Sequence, residues 1–295
     1  MLGASAVYAQ QYDTSHHLDV PIQLDSFVVK AGFNPRAFIR RVQTDTTFYK
    51  AFRSLHLVPF VAVSSFSAYD KKGRVTATNK NKIRQLIDAK GCRIAQVVSQ
   101  QTTGDFYKRN GKHNYFTAEL FDNLFFSKTP VCNQDDIVAG AMKPVDNSRM
   151  EKSKYELKQL TFNPGSKVGG VPFMGDKAAI FDEDEVKKYD FKIKQEDYEG
   201  EESFVFSITP KSEYKNKVVY DELITWFRKS DYSIMARDYT LSFSTLFYSF
   251  DVKMMVRTRQ ISGKLYPVHI DYNGIWHIIT QTPEHMHVVM DVDYF

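Results

Sequence analysis

The chain of 295 residues lacks any long apolar run. No stretch approaches the roughly 18 consecutive apolar residues that a transmembrane helix needs, which excludes such a helix. Charge of one sign is not in large excess either, because 39 Lys and Arg face 35 Asp and Glu, for a net charge of +4. The basic residues are scattered and form no stripe. The sequence therefore gives no reason to expect a nucleic acid as a partner.

Common catalytic motifs are also missing from the sequence. We find no G-x-S-x-G, no H-E-x-x-H and no C-x-x-C. The glycine-rich stretch GSKVGGVPFMGDKAAIF, residues 165–181, matches neither G-x-G-x-x-G nor the P-loop, so a phosphate cradle is not predicted. We interpret the chain as more consistent with a binding protein than with an enzyme, and we expect no cofactor.

Cysteine is scarce, with only Cys92 and Cys132, which are 40 positions apart. Their surroundings suggest neither a metal site nor a redox pair. In an oxidising compartment one disulfide is predicted, and closing a loop of this size contributes about 4 kcal/mol in the chain-entropy model. The alternative is two free buried thiols, which becomes preferred if the protein is not exported.

The first residues, MLGASAVYAQQYD, bear on that choice of compartment. Val7-Tyr8-Ala9 before Gln10 resembles the small-residue cleavage site of a secretory signal peptide, although the basic region and most of the apolar core are missing. We interpret residues 1–23 as a signal-peptide remnant and a disordered lead, with an ordinary disordered N-terminus as the alternative. No cysteine follows the site, so we expect a released protein without an acyl anchor.

Helical patterns occur at three places. Asn34 can cap a helix that has Pro35 in its first turn, and Asp45 with the two threonines after it predicts a restart, hence two consecutive helices. A short helix is predicted near Ala118 to Phe126. Ser148 is predicted to cap a further helix over RMEKSKYELKQL.

Strand patterns dominate the rest of a chain that contains 23 Phe and 17 Tyr. Strands are predicted at Phe60–Tyr69, Val75–Leu86 and Cys92–Gln100, and the last third alternates between apolar and polar residues. Hairpin turns are predicted at Glu199-Gly200, Lys229-Ser230-Asp231, Ser262-Gly263 and Asn273-Gly274. A sheet that is apolar on one side must cover that side. We therefore predict an α+β fold over residues 24–295, a single domain in which a curved antiparallel meander, or half-barrel, packs on two or three helices.

Several segments resemble a group of uncharacterised exported bacterial proteins. These are DTTFYKAFRSL, CRIAQV, NYFTAELFDNLFF, LKQLTFNPG, VPFMGDKAAIF and ITWFRKSDYSIMARDYTLSF, and the similarity spans roughly residues 24 to 280. The architecture of the last third is also similar to the half-barrel of outer-membrane lipoprotein carriers. That second resemblance implies an apolar cavity for acyl chains. It transfers no site residue, because those carriers bind through a general apolar lining and fold alone does not fix function.

Aromatic and apolar residues of the predicted sheet are the candidates for such a lining. Rows of this kind are usually filled core, and they line a pocket only if the helix cover is incomplete. The candidates for contact with a ligand are Trp226, Phe243, Phe250, Met254 and Tyr266.

Histidines suggest a different chemistry. His285 and His287 in PEHMHVV share one face of a strand and His277 lies nearby in sequence, so three imidazoles could hold zinc with one open position. We rank this below the alternative of partly exposed surface histidines, because an isolated H-x-H is common.

The sequence thus predicts an exported protein of the periplasm or outer cell envelope that binds an apolar or acyl ligand. The first alternative is a scaffold that binds an envelope protein partner through an exposed apolar patch. A metal-dependent hydrolase that uses the three histidines ranks last.

Overall fold

The computed structural model describes residues 21–25, 33–126, 130–132, 162–165, 177–246, 248–278 and 282–295. The predicted signal remnant, the predicted helix after Ser148 and most of the glycine-rich stretch lie outside these ranges. Within them, no helix is long and apolar enough to cross a membrane.

One open sheet organises the described residues. Along the sheet the order is β1-β5-β6-β7-β8-β9-β10-β11-β2-β3-β4. Neighbouring strands are antiparallel, except that β1 pairs with β5 in parallel. The strands are β1 (Ile22–Leu24), β2 (Phe60–Tyr69), β3 (Val75–Ile87), β4 (Arg93–Thr103), β5 (Tyr189–Tyr198), β6 (Glu201–Pro210), β7 (Tyr220–Arg228), β8 (Ile234–Ser244), β9 (Tyr248–Ile261), β10 (Lys264–Ile278) and β11 (Glu284–Tyr294).

Helices cover the apolar face of this sheet, which we call the inner face. The described helices are α1 (Pro35–Thr44), α2 (Thr47–Leu55), α3 (Phe116–Phe125) and the single turn α4 (Glu183–Val186), with a 3-10 turn at Ser212–Tyr214. The predicted caps explain the break between the first two. Asn34 Oδ1 accepts a hydrogen bond from the Ala37 amide at 3.1 Å, and Asp45 Oδ1 accepts one from the Thr47 amide at 2.8 Å.

The core lies between these helices and the inner face. From α1, Phe38 packs edge-on against Phe206 and Phe227 of two neighbouring strands, with ring centroids 5.8 and 5.1 Å away. From α3, Phe121 contacts Phe66 and Tyr272 at 6.2 and 5.3 Å. The alternation of buried and exposed side chains along the strands makes the opposite face the wet one. The predicted class, a curved antiparallel half-barrel packed on helices, is confirmed.

Two of the predicted hairpin turns have the backbone that their sequence suggested. Both residues of Glu199-Gly200 have positive φ, at 55° and 84°, and those of Ser262-Gly263 have φ of 49° and 76°. This is the geometry of a type I′ turn, which glycine favours at its second position.

The prediction of a turn at Asn273-Gly274 is wrong, because both residues lie inside β10. Glycine is needed there for another reason. The Tyr272 side chain crosses over Gly274, so that a Cβ built at residue 274 would lie 2.0 Å from the Tyr272 hydroxyl oxygen. A glycine within a strand often marks such a close approach.

The two cysteines are joined in the structure. Cys92, directly before β4, forms a disulfide with Cys132, and the two Cα atoms are 4.2 Å apart. Next to it, Arg93 and Val131 exchange backbone hydrogen bonds of 2.9 Å in both directions. The disulfide thus fastens residues 130–132 to the first residue of β4.

Candidate functional site

The five candidate lining residues do not share one surface. Phe243, Phe250, Met254 and Tyr266 lie on the inner face, whereas Trp226 lies on the outer face. Successive side chains of a strand point to opposite faces, and the neighbouring Phe227 is the one that is buried in the core. Trp226 therefore cannot line a cavity together with the other four.

The inner-face candidates also differ among themselves in burial. Met254 has no exposed surface and Tyr266 keeps 6% of its surface exposed, so both belong to the filled core. The Tyr266 ring packs on Tyr294 at 4.9 Å. Phe243, by contrast, is only half-buried, at the opposite end of its strand from the tightly buried Ile234.

An aromatic cluster surrounds Phe243 at this end of the inner face. We call it the aromatic rim, and it consists of Phe243, Tyr248, Phe250 and Trp276. The Phe250 ring lies 6.3 Å from Phe243 and 5.0 Å from Trp276, and Tyr248 lies 6.1 Å from Phe243. Strand register fixes the contacts, because Phe250 is directly opposite both Phe243 and Trp276 on the two adjacent strands.

The rim is more exposed than the middle of the inner face. Phe250 is buried, but Phe243, Tyr248 and Trp276 are half-buried. In the adjacent turn Leu246 has 88% of its surface exposed. The apolar face of the sheet therefore reaches solvent at this end.

Polar contacts hold the rim in place. The Trp276 indole N–H donates to the Tyr272 hydroxyl at 2.6 Å, and the ring of this tyrosine is buried. Glu284, the cross-strand neighbour of Trp276, accepts hydrogen bonds from the amides of Phe116 and Thr117 at 2.6 and 2.9 Å. These amides belong to the first residues of α3, where a carboxylate is favoured. Burial nevertheless raises the pKa of the Glu284 carboxyl above its ordinary value.

A cation also lies at the rim. Lys177 Nζ is 5.3 Å from the centre of the Phe243 ring. Such a contact leaves the aromatic surface apolar while placing a positive charge beside it. The rim thus combines flat apolar contact area with one cation at its border, a pattern suited to apolar ligands that carry a polar end.

The three histidines lie on the outer face. The Nε2 atom of His285 is 2.8 Å from Asn273 Oδ1, and that of His287 is 3.0 Å from Asp271 Oδ1. Each ring therefore has a partner on β10, and His277 is exposed. Nowhere in the described ranges do three His, Cys, Asp or Glu side chains come together in a way that could hold a metal ion.

Trp226 belongs to a separate cluster on the outer face. Its indole N–H donates to Glu196 Oε1 at 2.7 Å, and its ring lies 5.3 Å from that of Tyr198. Arg257 contacts both rings from above, at 5.8 and 5.9 Å, and bonds the carboxylate of Asp238 with both terminal nitrogens. These contacts join Trp226, Tyr198 and Arg257 into one cluster on the outer face.

Sequence reasoning found half of the rim. Phe243 and Phe250 stand close in sequence on two strands of one hairpin, but Tyr248 and Trp276 were missed. Trp276 could have been found from its position opposite Phe250. Because the sequence predicts a turn at Asn273-Gly274, the predicted strand ends before Trp276.

The fold defines a class of protein, an α+β chain whose open antiparallel half-barrel is covered by helices on one face. No protein-family model matches the chain, and no curated protein matches it. Solved structures with similarity to it include an outer membrane lipoprotein-sorting protein domain from Vibrio parahaemolyticus, at 14% identity, 82% coverage of this chain, 88% of the other and a TM-score of 0.26.

Two further structures show a similar degree of likeness. A DUF1329 family protein from Desulfovibrio piger is 13% identical over 83% of this chain and 91% of the other, with a TM-score of 0.25. A LolA superfamily protein from Nitrosomonas europaea is 9% identical over 85% of this chain and 92% of the other, with a TM-score of 0.23. Likeness at this level gives no ground for transferring a ligand or an activity.

Proposed function

We propose that this chain is an exported protein of the cell envelope that binds an apolar, acyl-type ligand, with the aromatic rim as the ligand contact. The observation that carries the proposal is the exposure of the rim. Phe243, Tyr248 and Trp276 present half-buried rings at one end of the inner face, next to strand positions whose side chains are fully buried. Large aromatic surface next to solvent is typical of apolar ligand sites.

The rest of the inner face is a poorer candidate for the ligand contact. Val252 and Met254, which follow Phe250 on the same face of β9, have no exposed surface. A ligand there would have to displace packed side chains at a cost of several kcal/mol. At the rim a ligand adds contacts to rings that are already partly uncovered.

Export is supported by the disulfide and by the first residues of the sequence. A disulfide between Cys92 and Cys132 is expected in an oxidising compartment and rare in a reducing one. Fractionation of cells followed by mass spectrometry tests this part. We expect the protein in the envelope fraction, with Gln10 as its first residue and with two hydrogens fewer than the reduced chain.

The two tryptophans of the chain provide a direct test of the ligand contact. Trp276 is in the rim, and Trp226 is on the opposite face of the sheet. The variant Trp226→Phe keeps only Trp276, so its fluorescence reports from the rim alone. Its matched control Trp276→Phe keeps only Trp226, so its fluorescence reports from the outer face alone. Brominated palmitic acid, added below its micellar concentration, quenches tryptophan fluorescence on contact.

We expect saturable quenching of the Trp226→Phe protein and little quenching of the Trp276→Phe protein. Equal quenching of both would indicate non-specific adsorption and contradict the proposal. An absence of quenching in both would do the same, and would turn attention to an envelope protein partner.

A further inference from the structure

The strand β4 forms one edge of the sheet, and this edge is long and open. Only one side of the strand pairs with β3. On the other side Arg93 exchanges backbone hydrogen bonds with Val131, but within the described ranges no backbone group of residues 95–103 has a partner there. The side chains of residues 96–103 are exposed as well. The edge therefore offers unpaired backbone donors and acceptors over most of its length.

The opposite edge of the sheet is blunted. It is formed by β1, which has three residues, and the Asp25 carboxylate after it accepts a hydrogen bond from the Gln195 amide at 3.1 Å. Edge strands are commonly protected in this way by shortness, or by charged residues and proline. The β4 segment IAQVVSQQTT, residues 94–103, is long and contains neither a charged residue nor a proline. It therefore lacks the usual protection against the addition of another strand.

The backbone orientation along β4 follows from its contacts. Arg93 directs its N–H and C=O away from β3, toward Val131. These groups alternate along a strand, and one extra residue, Val98, shifts the alternation by one where the register with β3 changes. Gln100 and Thr102 therefore direct their backbone groups to the free edge. An added strand would form its hydrogen bonds with these two residues.

The outer face beside this edge is basic. Residues 71–104 contain eight Lys and Arg and a single acid, Asp88, although the whole chain is close to balanced. Lys80 and Lys82 of β3 are exposed on the outer face, directly opposite Gln101 and Ser99 of β4. In the part of the chain that the structure describes, neither lysine forms an ion pair or a hydrogen bond. Two unpaired cations thus lie one strand away from the open edge.

The two lysines also line a groove of about 460 Å³ on the outer face. Val63 of β2 lies in this groove with 52% of its surface exposed. The one acid in the lining, Asp291, already has a partner, because its Oδ1 is 2.7 Å from Nδ1 of His269. The groove is therefore complementary to a partner that brings negative charge.

We propose that the free edge of β4 binds an extended segment of a partner protein by strand addition, and that this segment carries acidic side chains at alternate positions. Alternate side chains of the added strand lie on the outer face, beside Ser99 and Gln101. Lys80 and Lys82 are then two strand spacings away, about 10 Å, which a lysine and a glutamate can span together. A second copy of this chain is a poorer occupant, because its own β4 segment has no acidic residue.

The experiment uses three fluorescein-labelled peptides and measures their anisotropy with the full chain. Acetyl-TVTETETVT-amide is the acidic probe, and acetyl-TVTQTQTVT-amide is its neutral twin. Acetyl-TVPEPETVT-amide keeps both charges, but its prolines prevent it from pairing as a strand.

Two kinds of variant separate charge from backbone pairing. Lys80→Gln combined with Lys82→Gln removes the cations, and its matched control is Lys192→Gln combined with Lys253→Gln, two exposed lysines on other strands. Thr102→Pro removes one backbone donor from the free edge, and Thr102→Val is its matched control because it keeps the N–H.

We expect the acidic peptide to bind about fivefold more tightly than its neutral twin, which is typical of two exposed charge pairs, and the proline peptide not to bind. The Lys80 and Lys82 double variant should lose this preference, and its control should keep it. Thr102→Pro should lose binding of both strand-forming peptides, and Thr102→Val should retain it. Hydrogen exchange on the unchanged chain gives an independent result, because the acidic peptide should slow exchange of the Gln100 and Thr102 amides.

Four outcomes would overturn the proposal. Equal binding of the proline and acidic peptides would show charge attraction without strand addition. Equal binding of the acidic and neutral peptides would remove the acidic partner. A dimer in analytical ultracentrifugation that Thr102→Pro abolishes would assign the edge to a second copy. No peptide binding, together with unchanged hydrogen exchange, would leave the edge without a strand-adding partner.

Discussion

Gly274 provides the sharpest test of the packing under the rim, through the variant Gly274→Ala. An alanine Cβ at this position would lie 2.0 Å from the Tyr272 hydroxyl oxygen and 2.8 Å from Cε1 of its ring. Gly274 does not have a positive φ, so its backbone conformation is accessible to alanine. At an unhindered site this substitution would stabilise the protein by about 0.4–1 kcal/mol, because alanine reduces the conformational entropy of the unfolded chain.

The clash with Tyr272 reverses that sign. The tyrosine ring is rigid, only 1% exposed and packed 5.3 Å from Phe121, so it cannot rotate freely away. Overpacking of a core costs about 1–3 kcal/mol, and loss of the hydrogen bond from Trp276 costs about 1 kcal/mol more. After the gain through the unfolded state is subtracted, we expect Gly274→Ala to lower the free energy of unfolding by about 1–3.5 kcal/mol in total.

Equilibrium unfolding in urea, under oxidising conditions, measures this value. A double-mutant cycle with Tyr272→Ala identifies its cause, because removal of the ring should remove most of the cost of the added methyl group. A Gly274→Ala protein as stable as the parent would refute the reasoning. So would a cost that is unchanged in the Tyr272→Ala background, since it would not come from the ring.

Three other changes test separate parts of the fold. Replacement of Cys92 by serine should lower the free energy of unfolding under oxidising conditions by about 4 kcal/mol and have no such effect in reductant; equal stability in both conditions would contradict a structural disulfide. Asn34→Ala removes the cap of α1 and should cost about 1 kcal/mol in urea unfolding, whereas Asn34→Asp should cost little. The pKa of Glu284 in the folded state is raised above its ordinary 4.5, so above pH 4.5 the folded protein binds this proton more tightly than the unfolded chain does. The contribution of Glu284 to stability is therefore full below pH 4.5 and is lost as the pH rises through the raised pKa. Glu284→Gln should remove that slope, so urea midpoints that fall equally in both proteins would refute the assignment.

Local patterns predicted most elements of the fold. The apolar alternation of residues 60–69 gave the strand that the structure contains, and the cap residues Asn34 and Asp45 gave two helices instead of one. These features depend on neighbours in sequence, where side-chain periodicity and capping act directly. The order of the strands could not be predicted in the same way. The pairing of β11 with β2 joins distant parts of the chain and leaves no local pattern in the sequence.

The candidate site was predicted only in part, for physical reasons that differ between residues. Phe243 and Phe250 were accessible because a hairpin places them opposite each other. Trp226 and Phe227 are adjacent aromatics, and only one of them can face the core; Phe227 does, 5.1 Å from Phe38.

The pairing of β11 between β10 and β2 has a consequence for the order in which the protein is made. The strands β2 to β4 and the meander β5 to β10 leave the ribosome first, and each then carries an open edge where β11 belongs. Unpaired strand edges are prone to aggregation. The chain therefore depends on β11 to unite two half-sheets, and both edges stay open until that strand is made.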